Sequence, residues 1–91
     1  MPAQYFANKI ANNGTAKISA STDCKILVTA VTNAHSADTT VTFEDDANLG
    51  VLEVPKETTL NLTTPIMCAS FTPSNANMSI VYYEAKPPYF A

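Results

Sequence analysis

The chain has no arginine, no tryptophan, one histidine and two cysteines. Each shortage removes a class of function. Nucleophilic catalysis needs a nucleophile, a base and a group that orients the base. The one histidine, His35, stands in a short polar loop of small residues, with Ser36 and Asp38 beside it only in sequence. It reads as an exposed loop histidine, and the chain as not an enzyme. Cys24 and Cys68 are far apart and show none of the C-x2-C spacing of a zinc site. No cofactor and no metal are expected.

Positive charge is also scarce. Five lysines stand against eight acidic residues, for a formal net charge of −3. No basic patch can form, which argues against nucleic acid and anionic membranes as partners. Charged residues make up 14% of the chain, against about 25% in a typical globular domain. Thr, Ser and Asn take their place. Such an uncharged polar surface occurs where sheets pack into larger assemblies, and equally in secreted or glycosylated β-domains. No long apolar run exists: Ile26 to Val31 is interrupted by Thr29 and is far too short to span a bilayer. The N-terminus Met1-Pro2-Ala3-Gln4-Tyr5-Phe6 lacks a charged n-region and an apolar core. The expectation is a chain made and used in the cytoplasm of its producing cell.

What is present is alternation. Ala16, Ile18 and Ala20 alternate with polar residues over Thr15 to Ser21, after an Asn12-Asn13-Gly14 turn signal that predicts a hairpin. Cys24, Ile26, Val28 and Ala30 fall on one face of a strand, with Leu27 and Val31 on the other, as in a central strand covered on both sides. Further strands are predicted over Thr39 to Glu44, Leu49 to Val54, Thr58 to Thr63, Ile66 to Phe71 after an interruption at Pro65, and Met78 to Glu84. Strand signals recur every 8–12 residues or so, which predicts one all-β domain over 1–91, an antiparallel β-sandwich or small barrel of seven to eight short strands. Jelly-roll and immunoglobulin-like arrangements both remain open. Residues 1–12 read as an N-terminal arm or edge strand. Residues 86–91 read as an extended C-terminal tail, because Pro87 and Pro88 remove two donors.

The remaining features are weighed against bland readings. Glu44-Asp45-Asp46 with Asn48 offers oxygen ligands that calcium prefers, but without EF-hand spacing, so a solvated acidic loop is the expectation. Cys24 and Cys68 are spaced like an inter-sheet bridge, yet the accompanying tryptophan is missing and a cytoplasmic origin keeps thiols reduced. Two buried free thiols acting as small hydrophobes is the favoured reading. The sequons at Asn13, Asn61 and Asn77 arise readily by chance in a chain rich in Asn and Thr. The tail Lys86-Pro87-Pro88-Tyr89-Phe90-Ala91 joins stiff prolines to an aromatic pair, suited to anchoring an interface or to folding back over its own sandwich.

From Lys25 onward a run of features can be set beside a known family. A strand Lys25-Ile26-Leu27-Val28-Thr29-Ala30-Val31-Thr32 ends in Asn33, and an aromatic-acidic strand end follows within Thr39 to Asp46. Then Leu52-Glu53-Val54-Pro55-Lys56-Glu57 leads into a Thr-rich strand, and the domain closes on Ile80-Val81-Tyr82-Tyr83-Glu84. This pattern resembles the small β-sandwich virion proteins of tailed bacteriophages, of the capsid decoration (cement) type. Where that family's linker usually carries glycine, this chain has Lys56-Glu57. The resemblance implies a virion protein on the capsid surface that binds the major capsid protein and itself, commonly as a homotrimer. No functional residues transfer one by one. The contact residues expected from the chain itself are Tyr5 and Phe6 near one terminus and Pro87, Pro88, Tyr89 and Phe90 at the other. Alternative roles are another virion component, such as a tail, neck or fibre-base module, or a secreted carbohydrate-binding sandwich.

Overall fold

A computed structural model describes residues 9–12, 14–45 and 48–86. They form eight strands: β1 (Lys9–Asn12), β2 (Ile18–Ser19), β3 (Lys25–Asn33), β4 (Thr39–Glu44), β5 (Asn48–Val54), β6 (Thr58–Cys68), β7 (Ser70–Pro73) and β8 (Met78–Ala85). Two four-stranded sheets result, sheet A in the order β1-β8-β3-β6 and sheet B in the order β2-β7-β4-β5. All pairings are antiparallel.

The pairing is nested. The first strand lies beside the last, the second beside the seventh, the third beside the sixth and the fourth beside the fifth. The chain is in effect one long hairpin, bent between β4 and β5 and rolled up so that every connection except β4–β5 changes sheet. That is the eight-stranded jelly roll. An immunoglobulin-like arrangement is excluded, because β8 pairs with β3 and not with its predecessor β7.

The core lies between the sheets. Ile26, Val28 and Val31 of β3, Val41 and Phe43 of β4, Val54 of β5, Cys68, Phe71 of β7, and Met78, Ile80 and Tyr82 of β8 form one buried cluster. The Phe71 and Tyr82 rings meet edge to face at 5.2 Å between centroids, a favoured aromatic geometry. Leu60, Leu62 and Ile66 of β6, with Ile18 and Ala20, seal the margins of this cluster. Burying one such aliphatic or aromatic side chain is worth about 1.5–3 kcal/mol.

Four details differ from the strand pattern expected above. First, no hairpin spans Asn12–Gly14, since β1 pairs with β8 in sheet A and β2 with β7 in sheet B. Second, the strand expected over Thr15 to Ser21 shrinks to Ile18–Ser19, leaving Ala16 exposed. Third, a bulge sits at Thr29: Val28 opposes Tyr82 whereas Ala30 opposes Val81. One extra residue reverses the alternation, so Val31 and Asn33 turn inward while Ala30 does not. The Thr29 hydroxyl donates to the Val81 carbonyl at 3.2 Å and holds the bulge in place. Fourth, β6 continues past Pro65, with a break in its pairing there, and ends at Cys68. Proline is tolerated there because β6 is an edge strand. Residues 62–65 bow out opposite Thr29, between the Ala30–Asn61 and Val28–Ile66 pairs. The change of sheet comes at Ala69, whose N–H donates to Glu44 and whose carbonyl accepts from Ala20.

Candidate interaction surfaces

The contact residues expected from the sequence, Tyr5, Phe6, Pro87, Pro88, Tyr89 and Phe90, lie outside the described residues. Of the expected N-terminal arm or edge strand, residues 9–12 are described and form β1 at the edge of sheet A. Of the expected tail only Lys86 is described. Their points of attachment are described. Lys9 at the start of β1 stands opposite Tyr82, and β8 ends at Ala85 beside Lys25. The start of β1 and the end of β8 therefore lie at the same end of sheet A.

Directly opposed residues of an antiparallel pair share a face, so the register gives the outer face of sheet A row by row. Tyr83, Leu27 and Met67 form one row, Val81, Ala30 and Asn61 the next, and Ser79, Thr32 and Thr59 the third. None of the nine is charged. The face grades from hydroxyls, where Thr32 and Thr59 are hydrogen-bonded at 3.0 Å, to apolar side chains near the departing termini. Met67 is 43% exposed. The outer face of sheet B differs: Glu53, Thr40, Thr42, Thr72, Glu44 and Val51 share it by register.

The sheet edges are unequal. In sheet A, β1 has four residues and β6 is broken by its bow and by Pro65. In sheet B, β2 has two residues, whereas β5 has seven, with Leu49 at 52% and Val51 at 59% exposure. The bulge between Phe43 and Glu44 leaves Leu49 as the extra residue of β5.

At one end of the sandwich three loops are tied together. The buried Asn33 donates through Nδ2 to the carbonyls of Ala37 (3.0 Å), Val54 (3.1 Å) and Pro55 (3.1 Å). Its Oδ1 accepts from the backbone N–H of His35 at 2.9 Å. The Glu57 N–H donates to the His35 carbonyl, and the Ala34 N–H to that of Asn77. Asp38 accepts from the Lys56 N–H at 3.0 Å, so its carboxylate serves the loop. His35 is half-buried, not exposed as expected, with Nδ1 3.5 Å from the Asn77 amide. Glu57 adopts φ +53°, the left-handed region that glycine favours. It sits in the linker where the family resemblance would place glycine.

The other end is charged. Lys17 meets Glu44 at 2.8 Å, Lys25 is paired with Asp45, and the Ser21 N–H donates to a Glu84 carboxylate oxygen. The hydrogen bond and positive charge of Lys17 hold the Glu44 carboxyl below the usual carboxylate range. Glu44 and Asp45 thus each face an ammonium. Among the described residues no group of three or more His, Cys, Asp or Glu is placed to hold a metal ion. Both cysteines are free thiols, Cys24 half-buried and Cys68 buried. Burial pushes the Cys68 thiol up to about 11. Ile26 opposes Cys68, which leaves Cys24 on the diagonal, beyond the usual Cα separation of a disulfide.

No model of a known protein family, no curated protein sequence and no solved structure matches the chain. Among the described residues no helix is long and apolar enough to cross a membrane. Sequence reasoning missed Asn33 as the hub of the three-loop end, and it missed the β5 edge, which no described strand covers. Asn33 was legible only as a turn residue. The edge was not legible at all, because edge or centre is decided by which strands pair.

Proposed function

We propose that this protein is a virion structural subunit of a bacteriophage, a capsid decoration protein that binds the outside of the major capsid protein shell and stabilises it. The observation that carries this reading is the nested order of the two sheets. The jelly roll is an architecture of viral capsid and lectin domains, and here it meets the residue pattern from Lys25 to Glu84 described above. The support is architectural, and folds host many functions. The surface agrees with it: the three rows named on the outer face of sheet A carry no charged residue, and suit packing against another protein more than catalysis.

Self-association as a homotrimer belongs to the same proposal. A 91-residue domain has a modest core and gains stability by mass action on binding its shell. Repetition around a shell adds avidity to a weak single contact.

The test is co-sedimentation of the purified protein with expanded capsids of the phage that carries its gene, after removal of accessory proteins. Saturable binding at a fixed copy number per capsomer is the expected result. No binding to shells, with recovery of the protein in tail or neck fractions, would move it to another virion component. Hits on a glycan array without particle binding would favour the carbohydrate-binding reading that the same architecture permits.

A further inference from the structure

We propose that β5 is a self-pairing edge, through which two copies of this chain join antiparallel about a two-fold axis at Val51 and fuse their B sheets into one. The argument begins with elimination. An open edge presents unpaired N–H and C=O groups, and proteins blunt such edges with short strands, prolines, bulges or charge. The other three edges carry those devices: β2 has two residues, β1 four, and β6 its bow and Pro65. β5 carries the fewest. It has seven residues, no proline and one charged residue, Glu53. Its single bulge lies near one end, at Leu49, and leaves Gly50 to Val54 in regular register.

The sequence of β5 then selects the occupant. Only one antiparallel register pairs the whole strand with its own copy, and that register is centred on Val51. Val51 meets the second Val51, and Glu53 meets Leu49 of the other copy, so no like charges stand opposite one another. Val51, the most exposed large apolar residue of the described chain, meets its own copy on the axis, and Leu49 lies diagonal to that pair. Branched apolar pairs and the added ladder hydrogen bonds favour the contact. Two copies of a chain with net charge −3 repel each other, and this register adds no opposed pair of acidic residues to that repulsion. A single strand pair is smaller than the roughly 1,200 Å² of a stable interface. The dimer is therefore weak in dilute solution and strengthened where copies are already side by side. The two-fold contact is distinct from the proposed three-fold association, and would join copies belonging to different trimers.

Disulfide trapping tests it directly, in a Cys24→Ser background that keeps the buried Cys68. Cross-strand partners place their Cβ atoms about 4.5–5.5 Å apart, close to the distance a disulfide spans. Under mild oxidation at high protein concentration, Val51→Cys is expected to give mostly covalent dimer. Glu53→Cys alone is expected to remain monomeric, since the two copies of position 53 would lie about 14 Å apart. A mixture of Glu53→Cys and Leu49→Cys chains is expected to give the heterodimer. Equal cross-linking by every variant, or none by Val51→Cys, would overturn the proposal. Sedimentation of the unaltered protein supplies an independent reading: a concentration-dependent dimer should vanish in Val51→Lys and persist in Met67→Lys, and loss or persistence in both would refute the edge. Capsid binding by Val51→Lys separates this inference from the proposed function, because shell contact through sheet A does not need β5.

Discussion

Replacing Asn33 by Asp should put a pH-dependent group at the centre of the three-loop end. Two amide hydrogens of Asn33 serve three carbonyls, those of Ala37, Val54 and Pro55. The side chain is buried. In the Asp variant a carboxylate oxygen would face those three carbonyl oxygens, with no proton between them. The bond accepted from the His35 N–H would survive, so the change isolates the donor side. An unsatisfied buried group costs about 1–3 kcal/mol. The Val54 carbonyl is fully buried in this contact and the other two partly so. The three together suggest a loss of about 4 kcal/mol at neutral pH, a large share of the roughly 5–14 kcal/mol expected for a domain of this size.

The sign of the pH effect follows from the surroundings. Carbonyl oxygens and burial both disfavour the ionised carboxyl, so its folded-state pKa is raised above the unfolded one. The folded variant then binds more protons than the unfolded chain between the two values. Its stability falls as pH rises through that window, and the deficit is smallest below the unfolded carboxylate range. Urea denaturation at pH 4 and pH 7, read against the parent chain at the same two values, measures it. A variant equally stable at both, relative to the parent, or one within about 1 kcal/mol of the parent at pH 7, would refute the assignment of Asn33 as the donor hub.

Glu57→Gly should stabilise the fold. The left-handed backbone at Glu57 costs an ordinary residue about 1–2 kcal/mol, and glycine returns part of that as unfolded-chain entropy. A net gain of about 0.5–1 kcal/mol in unfolding free energy, read as a higher urea midpoint, is expected. Thiol titration at pH 8 should find one fast thiol, Cys24, and a second only after unfolding, because Cys68 is buried with its pKa pushed up to about 11. A raised thiol pKa means that the folded state holds its proton longer than the unfolded chain. This contribution is intact below the ordinary thiol range and is lost as pH rises toward 11. Replacing Cys68 with alanine should flatten that alkaline slope.

Local alternation carried much of the fold into the sequence. β4 and β8 could be read residue by residue, since Val41 and Phe43, and Met78, Ile80 and Tyr82, do turn inward against polar or half-buried neighbours. In β3 the alternation holds as far as Val28 and reverses beyond it. The reversal there depends on Thr29 and a carbonyl of β8 more than fifty residues away, and no local pattern encodes that. Pro65 looked like a boundary because proline breaks central strands, but β6 is an edge. The Asn12–Gly14 signal is a turn in its chemistry, yet it connects two different sheets. Of the surfaces, the sequence offered aromatic pairs near its termini. It gave no sign of the uncharged face of sheet A, which exists only once β8, β3 and β6 stand side by side in register.

The nesting of strands has a kinetic consequence. Closing a chain loop costs entropy that grows with the length closed, and distant pairings are slow to form for that reason. Here each pairing shortens the next. Once β4 and β5 meet across their short connection, β3 and β6 need close only the segments just outside them, and the same holds for β2 with β7 and then β1 with β8. The chain can zip from its acidic midpoint outward, although its most distant partners, Lys9 and Tyr82, are separated by most of its length. In reverse, β1 and β8 are the last contact made and the first to fray.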